Sequence, residues 1–360
     1  MTRTLLVPAT LLFLLTSLLG DSSTTTTRTV TKLAEGVYEI RHPDSPDTFP
    51  QGNTTVIIGD RDVLVVDSCY LPSSARQDIA QIRQWTNKPV RYLLNTHWHF
   101  DHTMGNGVYA QEFPGLAIVA TTQTRKHIQG YNPGWFERFP KRADRFKKIL
   151  ETGKGPDGSP ISAAERKEYE TALAGVQPVY AEYKQLKDQP PTVGFDNELD
   201  IDLGNREIEI RHPGRGNTSG DAIVYLPKEK ILVAGDLLDY PVPYLGGGYP
   251  VEEIGTLKKL AEYDAQTIVP GHGEVLHDKA YLIQVIDFMQ VVVAEVDKQV
   301  YRIGNGFNNL NDVDAAVRQN IDVTGWRKKF AGDDADSGTL FDSFSLPGVI
   351  KAAYYELAPK

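Results

Sequence analysis

Short apolar, β-branched runs alternate with longer stretches of helical period along most of this chain. Val37–Arg41, Thr54–Ile58 and residues 63–67 have the pattern of strands, the last two joined by a turn at 59–62. Ile79, Ile82 and Trp85 recur at helical spacing behind Ser73 and Ser74, either of which can cap a helix reaching about Thr86. Strand-like runs return at Val90–Leu94, 116–120, Glu207–Arg211, 222–226, 231–234 and 267–269. Between about 122 and 190 the composition shifts to Lys, Arg, Glu, Ala and Tyr, which predicts helices broken by the loop at 153–160. An apolar-periodic segment over 281–300 opens a helical tail. Strands and helices alternating in two halves predict a layered α/β domain with a helical insertion and a helical extension.

Composition narrows the chemistry. With 360 residues, 41% of them hydrophobic, the chain can bury one or two cores without disulfide help. Its 47 acidic against 38 basic residues repel phosphate, so nucleic acid is not an expected partner. The single cysteine, Cys69, excludes an intramolecular disulfide, a cysteine-built zinc finger and an iron–sulfur cluster. Any metal must be held by carboxylates and some of the eight histidines.

The first twenty residues place Arg3 before a leucine-rich stretch that ends at Gly20, the layout of a secretory signal peptide. A membrane anchor is the competing reading, but the uninterrupted apolar core is short for a span of about twenty residues and Pro8 weakens it. Residues 21–30 read as a flexible linker. The expectation is an exported protein, periplasmic or secreted, with no membrane segment after cleavage.

The strongest chemical signal is His97-Trp98-His99-Phe100-Asp101-His102, directly after a strand. Three histidines at set positions arise by chance at about one start site in 10⁵ at this histidine content. His97 and His99 are two apart, so in extended backbone they point to one side and can share a metal. Asp101 and His102 follow a turn and can face a second metal. Asp67, at a strand end, is either an acceptor for a ligand imidazole N–H or an ordinary cap residue.

His97-x-His99-x-Asp101-His102 resembles the signature of the metallo-β-lactamase superfamily. The resemblance covers roughly residues 30–280 and extends to Gly216–Asp221, to Ala234-Gly235-Asp236 and to Pro270-Gly271-His272-Gly273, in the family's order. It implies an αββα sandwich over 31–280, with the helical insertion at about 122–190 and the extension at 281–360. It implies two zinc sites at one edge of the sheets. Site one would comprise His97, His99 and the residue at 217; site two would comprise Asp101, His102 and His272, with Asp236 bridging. The 217 position is usually histidine in the family, and here it is Asn217. An amide oxygen is the weaker ligand for zinc. Three readings follow: one zinc in site two, two metals with site one tolerating Asn or preferring Mn or Fe, or a non-catalytic metal-binding or scaffold relative.

The implied activity is hydrolysis of a small acyl substrate. A zinc-held hydroxide would attack an activated carbonyl, with Asp101 orienting it and accepting its proton. Aspartate at 236 resembles the lactonase, thioesterase and esterase branches, whereas an exported location resembles the β-lactamases. Tyr240 and Tyr244 follow Asp236 and either donate to the substrate or pack the loop. Tyr131, Trp135, Phe136 and Phe139 either wall the cleft or pack the inserted helices. Cys69 is expected to be buried and inert, His212 to be structural, and Asp333–Asp336 to form a solvated loop.

Overall fold

Four strands in an antiparallel meander begin the fold: β1 (Thr29–Ala34), β2 (Val37–Arg41), β3 (Thr54–Ile58) and β4 (Val63–Val66). The structure is a computed structural model that describes residues 27–155, 158–184, 186–301 and 309–358, the side chains of 131–133 excepted. The expected signal peptide at 1–20 and most of the expected linker lie outside the described residues. Thr29 and Val30, assigned to that linker from sequence, are already paired with Arg41 and Ile40.

Helix α1 (Pro72–Trp85) crosses from β4 to β5 (Val90–Leu94), which pairs parallel to β4 and to β6 (Ala117–Thr121). Neither Ser73 nor Ser74 caps α1. Leu71 takes that place with Pro72 in the first turn, where a missing N–H costs nothing. Ser73 instead binds Glu182 through its N–H and its hydroxyl. Two short helices, α2 (Phe100–Thr103) and α3 (Asn106–Glu112), fill the β5–β6 connection. The insertion folds as α4 (Thr122–Arg138), α5 (Lys141–Thr152) and α6 (Ala163–Tyr183), and β7 (Val193–Phe195) then adds to β6.

The second sheet runs β8 (Glu198–Asp202), β9 (Glu207–Arg211), β10 (Ile223–Leu226) and β11 (Ile231–Asp239) antiparallel. Helix α7 (Pro250–Glu262) then crosses to β12 (Thr267–His272), parallel to β11. The tail folds as α8 (Ala280–Val300), α9 (Leu310–Asn320), α10 (Val323–Ala331), α11 (Ala335–Leu340), a π-turn over Phe341–Ser345 and α12 (Leu346–Leu357). The acidic run at 333–336 is not simply a solvated loop, because Asp334 caps α11 by accepting from Ser337 N–H at 2.7 Å. Among the described residues no helix is long and apolar enough to cross a membrane.

Apolar side chains make these elements four layers. Val37, Ile57, Leu64, Val66, Leu94 and Val119 of the first sheet meet Ile208, Ile210, Val224, Leu226, Val233 and Val269 of the second. The opposite face of the first sheet buries Ile79 and Ile82 of α1 and Val108 of α3, and that of the second buries Leu257 and Leu260 of α7 with Leu282, Ile286 and Phe288 of α8. This is the αββα sandwich with its helical extension. Each parallel pair brings its carboxyl ends to one edge, where loops rather than paired backbone continue the chain and side chains are free to converge.

Candidate metal centre

Strand β5 delivers the histidine cluster to that edge. Beyond Leu94, Asn95 and Asn106 exchange side-chain amide hydrogen bonds of 3.0 and 2.8 Å. Thr96 donates its N–H and its hydroxyl to the two Asp67 oxygens at 2.8 and 2.7 Å. Asp67 thus pins the residue before His97 and, through Oδ2, holds His102 Nδ1 at 2.8 Å. That contact leaves His102 Nε2 facing the cleft. Asp67 therefore takes the acceptor role rather than that of a mere strand cap. The single turn α2 turns Asp101 and His102 toward His272, which stands at the last position of β12. Asp236 enters from β11 between the two halves. Asn217 sits in a tight turn organised by Asp221, which accepts from Gly216 N–H, Thr218 N–H and the Thr218 hydroxyl.

All seven side chains singled out in the sequence, His97, His99, Asp101, His102, Asn217, Asp236 and His272, reach this one cleft. Their donor atoms fall into two sets that share Asp236: His97 with His99, and Asp101 with His102 and His272. Asp236 Oδ2 is 3.2 Å from His97 Nε2 and 3.9 Å from His99 Nδ1, while Oδ1 is 2.9 Å from His102 Nε2 and 3.8 Å from His272 Nε2. Asp101 Oδ2 is 3.0 Å from His272 Nε2, and the two Nε2 atoms of His102 and His272 are 3.2 Å apart. Asn217 lies 3.4 Å from His99 through its side-chain nitrogen.

Burial would neutralise these groups singly; together they charge one another. Burial raises the Asp101 carboxyl, but His102 and His272 outweigh it and hold it at about 2. Burial lowers His272, and Asp236 with Asp101 reverses this and lifts it to about 9. His102 is driven well above the usual imidazole range by Asp236, Asp67 and Asp101 against burial, and Asp236 well below the carboxylate range by its histidines. His97 moves the other way, because burial dominates and pushes it down.

The donor set suits metal. His97 Nε2, Asn217 Oδ1 and Asp236 Oδ1 are buried polar atoms without a hydrogen-bond partner, a costly condition unless a cation satisfies them. Asp236 Oδ1 is 2.9 Å from His102 Nε2 yet not aligned as its acceptor. Two glycines make room for the side chains of this set. A Cβ on Gly271 would overlap Asp236 Oδ1, and one on Gly52 would overlap the His102 ring.

Other expected residues take varied places. Tyr244 is 44% exposed at the cleft, and burial of its hydroxyl together with Asp101 and Asp236 raises its pKa. Tyr240 packs on Tyr281 with ring centroids 5.1 Å apart. Trp135 and Phe139 are buried with Val176, Val179 and Tyr183, so they pack the insertion and do not wall the cleft. Phe136 joins that cluster from its edge, and the Tyr131 side chain lies outside the described residues. His212 binds the Asp221 carbonyl at 2.7 Å, a structural place. Cys69 is fully buried, and burial raises its thiol well above the usual range.

Sequence reasoning assigned no role to Thr96, Gly52 or Asn53. Asn53 donates to the carbonyls of Pro270 and Gly273 and so fixes the loop that carries His272. No local signal marks these residues, because their partners lie up to 220 positions away. His127 on α4 stacks on Trp98 at 5.4 Å, so the insertion reaches the cleft rim through a residue with no pattern of its own.

Comparison with known proteins agrees with this geometry. The family model described as "Metallo-beta-lactamase superfamily" matches residues 47–272. Linear primary-alkylsulfatase of Pseudomonas sp. (strain ATCC 19151) is 23% identical over 248 residues, covering 67% of this chain and 45% of the relative. A metallo-beta-lactamase type 2 of Bacillus sp. (strain 170) is 26% identical over 195 residues, 51% of this chain and 72% of that one. The chain thus spans less than half the length of the alkylsulfatase it matches. Among solved structures, a metallo-beta-lactamase from Pontibacter korlensis superposes with TM-score 0.50 at 19% identity, covering 73% of this chain and 99% of that one. The mono-zinc form of the metallo-beta-lactamase FIM-1 from Pseudomonas aeruginosa gives 0.50 at 17% identity over 74% and 96%. At these identities the likeness carries the fold alone.

Proposed function

The chain belongs to the metallo-beta-lactamase superfamily, and from that premise we propose that it is a zinc-dependent hydrolase of small acyl compounds: β-lactams, lactones, esters or thioesters. The observation that carries this reading is the convergence of seven donor side chains into two sets around one shared carboxylate. Asp101, His102 and His272 would hold one ion and His97, His99 and Asn217 the other, with Asp236 touching both. Bound zinc supplies an acidified water and a Lewis acid for the carbonyl oxygen. Asp101, kept ionised by His102 and His272, would orient the attacking water and could accept its proton. Asp67 keeps His102 in the tautomer that offers Nε2 to the cleft. Export of the mature chain belongs to the same proposal and rests on the signal-like residues 1–20 alone.

A second reading is hydrolysis of an alkyl sulfate. It is favoured by the alkylsulfatase match, which covers more of this chain than the β-lactamase type 2 matches do. The test is metal analysis of the purified, zinc-supplemented protein, followed by a screen of nitrocefin, a lactone, an ester, a thioester and a long-chain alkyl sulfate. One or more equivalents of metal and turnover of a carbonyl substrate are expected. Fewer than about 0.5 equivalents of any transition metal would sink the hydrolase reading. Turnover of the alkyl sulfate alone would replace the first reading with the second.

A further inference from the structure

Helix α12 meets the loop after β11 backbone to backbone. A Cβ on Gly348 would lie 2.8 Å from Gly246 Cα and 3.1 Å from Gly246 N, so no side chain fits at that crossing. Leu245 is buried in the same core as Leu346, Val349 and Ile350. At the other end of α12, the Glu356 carboxylate accepts from Val251 N–H at 2.9 Å, where α7 begins. The extension therefore grips the 245–251 segment at two points.

That segment touches two features of the cleft. The Tyr244 ring lies over Gly246, whose Cβ would fall 3.0 Å from Tyr244 Cζ and Oη. Two residues further on, Gly248 backs onto the Asn217 turn. A Cβ there would overlap Gly216 O and lie 2.9 Å from Asn217 Cα, and Tyr249 N–H donates to Gly216 O at 2.8 Å. A shift at Gly246 would meet the Tyr244 ring directly and reach Asn217 through Gly248, across the exposed Gly247. Close contact at Gly246 and Gly248 leaves little room to absorb it at either position.

We infer that Gly348 is a positioning residue, and that the C-terminal extension, through the Gly348–Gly246 contact, sets the placement of Tyr244 and Asn217 and so the choice of acyl substrate. The inference rests on the proposed hydrolase reading for its substrates, but not for its contacts. Alanine and valine at 348 push the loop by one methyl and by an isopropyl group, and alanine favours the helix itself, so α12 survives. Gly255→Ala on the exposed face of α7, where a Cβ meets nothing within 4 Å, is the control.

The test measures KM and kcat on two substrates of the wild-type enzyme, metal equivalents after dialysis, and hydrogen exchange of the 244–249 amides. Gly348→Ala is expected to raise KM about threefold and Gly348→Val about tenfold, unequally between the substrates and with kcat less affected. A misplacement of about 1 Å can cost about 10²-fold, so these values correspond to small shifts. Gly348→Val should also lose metal from the Asn217 set and exchange faster over 244–249, while Gly255→Ala matches wild type. Wild-type KM, metal content and exchange in both Gly348 variants would overturn the inference, as would equal losses in Gly255→Ala. If the valine variant fails to fold, the alanine variant decides. If no substrate is turned over by any form, the hydrolase reading fails, and metal content and exchange still decide this one.

Discussion

His102 lies within 4 Å of the carboxylates of Asp67, Asp101 and Asp236, whereas His97 faces Asp236 alone and His99 has Asp236 and an amide for neighbours. The two halves of the cleft use the same side-chain chemistry under opposite electrostatic conditions. In the Asp101/His102/His272 half, acids and imidazoles form an ion-pair network in which His272 titrates at about 9. A metal there competes with protons already held. In the other half burial lowers the His97 pKa, and its Nε2 and the Asn217 oxygen accept or donate no aligned hydrogen bond. A metal there meets little proton competition but only one carboxylate. The first half would hold a metal through more carboxylates but against protons, the second through fewer and with less competition. Ligand identity alone would have ranked the halves without showing this second difference.

The comparison can be broken at its hinge. Asp236→Ala removes the carboxylate common to both halves, and kcat/KM should fall about 10⁴-fold or more, with metal analysis showing less than one equivalent. Asp101→Ala should lower kcat about 10³-fold while far-UV circular dichroism stays native; near-wild-type turnover would refute its role in proton transfer. The pH dependence sharpens the contrast. Metal affinity of the His272 half should rise about tenfold per unit from pH 7 to 9, as at least one proton must leave. Affinity of the His97 half should be flat over that range, and equal slopes in competition titrations would erase the distinction.

The metal-free protein supplies the sign for stability. His272 has its folded pKa raised from 6.5 to about 9, so its pairing stabilises the fold fully below pH 6.5, and this contribution is lost as pH rises to about 9. Denaturant melts of the metal-free form should show that loss, and zinc should remove it. Asp67→Asn should weaken the His102 half about 10–100-fold in metal affinity with a smaller effect on the His97 half. The smallest change is expected from Asn217→His, which should raise zinc affinity of the His97 half about tenfold, read as a second equivalent that resists dialysis.

Much of the sandwich was legible because buried strands write their burial locally. Val37–Arg41, Thr54–Ile58, Val90–Leu94 and Glu207–Arg211 stand where their apolar runs predict them. The strands that escaped, Thr29–Ala34, Val193–Phe195 and Glu198–Asp202, are sheet edges with one or both faces in water, so polar residues blur their period. Strand Ile231–Asp239 is longer than its apolar run predicts, because it continues through Gly235 and Asp236 into the buried cleft.

By itself the sequence determined what is local: the period-two placement of His97 and His99, the exclusion of cysteine ligands, and asparagine where a third imidazole was expected. Tertiary structure alone decided that Asp67 orients His102, that Gly52 and Gly271 clear space beside His102 and Asp236, and that α12 lies against the loop behind Asn217. The reason is physical. Side-chain direction within an element follows from backbone period, whereas a missing Cβ or a buried acceptor has meaning only once its partner, tens to hundreds of residues away, is packed against it.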